Sequence, residues 1–114
     1  MDDFTQQYLA TALWASTDDD GEPMDADHDI EDLAPIAVQQ AESDCATFLA
    51  TFASDISGRE SDAAHDLWLT RNHHGAGFWD GDWPEPLATR LTDAAHALGE
   101  VNVYAGDDGA LYID

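Results

Sequence analysis

The chain has almost no positive charge with which to fold. It holds 25 Asp and Glu against three cations, Arg59, Arg71 and Arg90, has no lysine, and carries a formal net charge of −22. Compaction brings like charges together, and self-repulsion opposes it. Such a chain folds only if its apolar side chains gather onto clean stripes while the carboxylates stay in water. The composition allows this: 44% of the residues are hydrophobic and 10% aromatic, outside the low-hydrophobicity regime of disordered chains. A single domain over residues 1–114 is expected, with a core of modest size.

The same imbalance excludes classes of function. Direct nucleic-acid binding needs cations to neutralise phosphates, and docking on an anionic membrane needs a basic patch. No apolar run reaches the roughly 18–20 residues of a membrane span. Met1-Asp2-Asp3 offers no cationic start for a secretory signal. The single Cys45 makes neither an intramolecular disulfide nor a Cys/His zinc cluster. An intracellular domain is expected.

Periodicity orders the chain as helix, helix, hairpin, helix, hairpin. Phe4, Tyr8, Leu9, Ala12 and Leu13 predict a helix over 3–15, with Asp2 and Asp3 at its N-terminus. Residues 16–29 have Gly and Pro but no periodic apolar positions and read as an acidic loop. A long helix is predicted over 30–56, its stripe running through Leu33, Ile36, Ala37, Gln40, Ala41, Cys45, Phe48, Leu49, Phe52 and Ile56. Asp29 is its expected N-cap, Pro35 lies in its first turns and Ser57-Gly58 ends it. Residues 61–66 add a short helical turn. Beyond them, 67–71 and 78–79 read as one hairpin, and 101–105 with 110–113 as a second, joined by a tight turn at Gly106-Asp107-Asp108-Gly109. Between the hairpins, 84–98 is a helix with Leu87, Leu91, Ala94, Ala95 and Leu98 on one face, stopped by Gly99. The expected class is α+β, with the N-terminal helices and one later helix packed on a small antiparallel sheet of two hairpins.

Few residues carry chemistry. Asp25, Asp27 and Asp29 alternate as at the start of a calcium loop, but Ile30 stands where Gly is needed and Ile36 where Glu is needed. The run reads as a solvated acidic loop, with weak divalent binding as the alternative. His65, His73 and His74, with Asp66 and Asp80, contain no His pair spaced four apart on a helix, so a metal is not expected; these rings read as bonded within the hairpin or packed on Trp79. Cys45, on an apolar stripe, reads as an inert core thiol. His74-Gly75-Ala76-Gly77 lacks the strand-to-helix setting of a phosphate loop. No enzyme, metal or cofactor is expected. Trp68, Phe78, Trp79, Trp83, Tyr104 and Tyr112 are assigned to core and sheet packing, with Trp83, ahead of Pro84, as the exposed one. Arg71 is expected to pair across the first hairpin with Asp66 or Asp80.

The block HDLWLTRNHHGAGFWDGD (65–82), followed by a helix and by GEVNVYAGDDGALYID (99–114), resembles a family of small acidic proteins encoded by tailed bacteriophages and related mobile elements. YLATALWASTDDDGEPMD (8–25) and DCATFLA (44–50) fit the same family, so the resemblance covers most of the chain. The family has Gly where His73 stands and a basic residue near Gly81; this chain departs from it there, toward acidity. The resemblance implies a phage origin and carries no catalytic residues over.

With that origin the charge takes on meaning. A compact chain of this length has a radius of gyration of roughly 13 Å and a diameter of about 35 Å. A duplex of that length, with one phosphate per 1.7 Å, carries about 20 charges, close to the net −22 of the protein. The expected function is a DNA-mimic inhibitor, anti-CRISPR or anti-restriction, acting in the host cytoplasm. It competes for the basic, DNA-binding cleft of a host-defence nucleoprotein by electrostatic steering and without chemistry. The expected binding residues are Asp18, Asp19, Asp20, Glu22, Asp25, Asp27, Asp29, Glu31 and Asp32, within a first 33 residues that hold 11 acids and no base. Asp80, Asp82, Asp107 and Asp108 form a second candidate patch at turns. The alternative is a salt-adapted phage accessory or regulatory interaction protein: 19 Asp, six Glu and no Lys suit high salt as well. A homodimer, if formed, would use an apolar patch near Trp83 or the edge of the C-terminal hairpin.

Overall fold

A computed structural model describes residues 1–18 and 20–114. Its elements are α1 (Asp3–Ala15), α2 (Pro35–Phe52), α3 (Glu60–Arg71), α4 (Leu87–Leu98), β1 (Val103–Ala105) and β2 (Leu111–Ile113), with 3-10 turns at Met24–Ala26 and Ile30–Asp32. β1 and β2 pair antiparallel with Tyr104 opposite Tyr112. The fold is α+β, and the described residues form one hairpin rather than two. Among them, no helix is long and apolar enough to cross a membrane.

The expected first hairpin is instead helix α3 and a loop that folds back on it. Ala63, Ala64 and every residue from Asp66 to Arg71 are buried. A helix enclosed on nearly all sides loses its amphipathic period, and its apolar run then resembles a buried strand. Glu60 and Asp62 in the first turn and Arg71 in the last match the helix dipole. Phe78 does not pair as a strand; its N–H donates to Thr70 Oγ1 at 3.0 Å. Gly77 passes so close to the Thr70 side chain that a Cβ would collide with it.

Two helices start later than predicted, each for a proline. Ala34 precedes Pro35 and is extended, at φ −64° and ψ 148°, because a residue before proline is pushed out of the helical region. Pro35 therefore opens α2 at its first position, and Asp29 caps the preceding 3-10 turn instead. Leu33, outside the helix, forms a parallel bridge to Leu111. Ile36, placed on the apolar stripe by sequence, is 68% exposed. Pro84 and Pro86 likewise delay α4 to Leu87.

α3 lies at the centre. α1 and α4 pack on it, α2 touches both α1 and α4, and β2 lies on α2. Phe48 of α2 joins the aromatic core, stacking on Phe4 at 5.9 Å and on Phe78 at 5.8 Å. Trp83, expected at the surface, is 4% exposed and meets Phe78 edge-on at 5.7 Å. Its place outside is taken by Trp79, 55% exposed.

Arg71 ties these layers together. It is 2% exposed and pairs with neither Asp66 nor Asp80. Its Nη1 donates to Tyr8 Oη of α1 at 2.8 Å and to Asp44 Oδ2 of α2 at 2.8 Å. Its Nε donates to the Gly99 carbonyl at 2.8 Å and its Nη2 to that of Leu98 at 3.0 Å. The last two bonds satisfy carbonyls that the end of α4 leaves without partners. One guanidinium thus joins all four helices. We expect Arg71→Met to cost about 3–5 kcal/mol, the loss typical of removing one partner of a buried ion pair. Tyr8→Phe, which removes a single bond, should cost about 1 kcal/mol. Urea unfolding of both variants checks the order; equal and small losses would contradict it.

Candidate partner-binding surface

The acidic segment between α1 and α2 is held as a strap. The Met24 N–H donates to the Ser16 carbonyl at 2.9 Å and that of Asp18 to the Glu22 carbonyl at 2.8 Å, closing a small loop at the bridge between Thr17 and Pro23. Gly21 turns this loop at φ 82°, where a side chain would be strained. Asp18 Oδ1 accepts from the N–H groups of Asp20 and Glu22 at 2.9 and 3.0 Å. Asp29 and Asp32 form a reciprocal cap: Asp29 N–H donates to Asp32 Oδ2 at 3.0 Å, and Asp29 Oδ1 accepts from Glu31 N–H at 2.8 Å. His28 Nδ1 lies 3.5 Å from Asp32 Oδ2. Met24 is buried in the core, and Ala34 N–H donates to the Leu111 carbonyl at 2.8 Å. The strap is thereby fastened to the core in its middle and to β2 at its end.

Of the first predicted set, Asp20, Glu22, Asp25, Asp27, Asp29, Glu31 and Asp32 are exposed along this strap and Asp18 is half-buried; Asp19 lies outside the described residues. The predicted second patch divides. Asp107 and Asp108 sit on the hairpin turn closed by Gly106 N–H to the Ala110 carbonyl at 2.8 Å. The parallel bridge from Leu33 to Leu111 runs the strap beside this hairpin. Asp108 accepts from Tyr112 Oη at 2.6 Å and from Ala110 N–H at 3.0 Å, and these bonds hold its carboxyl below the usual range. Asp80 and Asp82 belong to the loop before α4. There Asp80 Oδ2 accepts from Gly77 N–H at 3.3 Å and the Asp82 carbonyl accepts from Arg59 Nη1 at 2.9 Å.

The cations are engaged elsewhere. Arg59 lies 3.8 Å over the Trp83 ring and its Nε is 3.8 Å from Asp62. Arg90 lies 5.3 Å from the Phe52 ring and 3.9 Å from Asp55. Neither reaches the strap. Trp14, not among the residues singled out from the sequence, is 57% exposed. The signal was available: Trp14 falls off the stripe set by Phe4, Tyr8, Ala12 and Leu13, and so faces away from the core.

The histidines disperse. His65 Nδ1 is 2.9 Å from Thr11 Oγ1, and its ring lies 5.4 Å from that of Trp14. His73 stacks on His96 at 4.4 Å, with Nε2 3.3 Å from Glu100. Among the described residues no three His, Cys, Asp or Glu side chains are grouped to hold a metal. Burial pushes the Cys45 thiol up to about 12, which leaves it protonated and unreactive at neutral pH. No protein-family model, curated protein or solved structure matches the chain.

One carboxylate among those described is buried, Asp66, which accepts from Trp83 Nε1 at 2.8 Å. Burial pushes its pKa up, and Asp80 and Asp82 add to the shift against the lowering effects of Trp83 and His65. Its native carboxyl holds a proton more tightly than the unfolded one. This group therefore favours the fold below its ordinary value of 3.8 and loses that advantage as pH rises through the raised native value. Asp66→Asn keeps an acceptor for Trp83 without the charge. Its stability relative to wild type should rise from mild acid to neutral pH in urea unfolding. A variant whose relative stability falls over that window would contradict the assignment.

Proposed function

We propose that the protein is a phage-encoded DNA mimic. It inhibits a host-defence nucleoprotein, a CRISPR or restriction complex in the host cytoplasm, by occupying its basic DNA-binding cleft. The observation that carries the reading is the match between shape and charge. The protein measures 43 × 26 × 23 Å and carries a net charge of −22; a duplex of the same length holds about 25 phosphates. The fold is longer in one direction than a sphere of its mass.

Two further features support it. The Asp18, Asp29 and Asp32 carboxylates accept backbone N–H groups and the buried Met24 anchors the segment, so the strap backbone is already ordered before binding. Arg71, one of only three cations, is enclosed with Asp44 and adds no positive charge to the surface. The mechanism is electrostatic: the strap raises the rate of encounter with a Lys/Arg-lined cleft, and the bound protein excludes the duplex. No bond is made or broken.

The test is competition. A partner captured from host lysate is assayed for duplex binding with and without the protein attached, and duplex binding should be lost. Retention of full duplex affinity in the complex would overturn the reading. Changing Asp20, Glu22, Asp27 and Glu31 to their amides should weaken inhibition about tenfold or more at low salt, an effect that shrinks as salt screens the charges. Stability should hold or rise, since repulsion is relieved. Unchanged inhibition would move the interface off the strap.

A further inference from the structure

Trp14 stands half-exposed at the C-terminal end of α1, in a shallow depression that it lines with Gln7, Thr11, Asp25 and His65. His65 backs the indole at 5.4 Å and is itself fixed by Thr11, whose side chain is buried. At 57% exposure Trp14 leaves much of its indole open to a ligand. Nothing in duplex imitation calls for it, because a duplex turns phosphates outward and keeps its rings stacked within.

The molecule shows what such a pair of groups takes. At Arg59 a guanidinium lies over the face of Trp83, 3.8 Å from the ring centroid, with the Asp62 carboxylate 3.8 Å from its Nε. Trp14 and the exposed carboxylate of Asp25 line one depression, and Arg59, Arg90 and Arg71 are all engaged elsewhere. We propose that Trp14 and Asp25 form an anchor for one arginine side chain of the partner, the guanidinium stacking on the indole and pairing with the carboxylate. Arginine suits this site better than lysine. Its planar, weakly hydrated cation stacks on aromatic faces and meets a carboxylate through two parallel hydrogen bonds. This deepens the DNA-mimic reading and rests on it for the nature of the partner, a surface rich in arginine. It adds a contact that salt screens less than it screens the strap, because stacking does not depend on long-range charge.

The probes are an oligo-arginine and an oligo-lysine peptide of equal length, titrated calorimetrically at several salt concentrations into wild type, Trp14→Ala, Trp14→Phe and a strap variant with Asp20, Glu22 and Asp27 as amides. Trp14→Ala should bind oligo-arginine about three- to fivefold more weakly, with an unchanged dependence on salt. Trp14→Phe should recover part of the loss, and oligo-lysine should be affected less. Equal binding by wild type and Trp14→Ala, or equal losses for the two peptides, would overturn the anchor. So would sedimentation showing a dimer that Trp14→Ala dissolves, since the face would then belong to a second copy. The strap variant separates this from the wider reading. If it binds like wild type while Trp14→Ala is weakened, the anchor stands and the electrostatic mimic fails; if only the strap matters, the anchor alone fails.

Discussion

The fold depends on one guanidinium. Arg71 reaches from α3 to Tyr8 on α1, Asp44 on α2 and the last carbonyls of α4. In a chain with three cations, placing one of them at the centre is costly unless each nitrogen finds a partner, and here the fork meets a hydroxyl, a carboxylate and two carbonyls. Arginine keeps its charge at any pH the protein meets.

With the centre fixed in this way, the surface is left free to be acidic. The carboxylates are not merely tolerated there. Asp2 caps α1 through Thr5 N–H, Asp18 closes a turn, Asp29 and Asp32 cap one another's backbone, and Asp108 orders the hairpin. Each accepts local N–H or O–H groups, so the charge is held in defined positions. An orderly acidic surface on a core stabilised from within differs from one that relies on ions in the medium.

Much of this was legible in the chain. α1, the body of α2, the apolar face of α4 and the Gly106–Gly109 hairpin follow from spacing and turn residues. Cys45 could be assigned to the core by its position on a stripe. What escaped was governed by tertiary surroundings. α3 is buried on nearly every side, so its period vanished and 67–71 resembled a strand. Trp83 and Trp79 exchanged places because Asp66 and Arg59, distant in sequence, hold Trp83 inside. The partners of Arg71 lie on three other helices, beyond any local pattern. The strap residues were visible as an acidic run, yet their fastening through Met24 and Leu33 was not, since each is a single apolar residue without a period. Trp14 was discoverable from its phase on α1.

Held by its interior, this fold should need no salt to bear its charge. Urea unfolding across sodium chloride, from millimolar to molar, tests this. A cooperative native state is expected at low salt, with a modest gain in stability that levels off once the Debye length falls below the spacing of surface charges. A chain that is unfolded in dilute buffer and folds only in molar salt would contradict it.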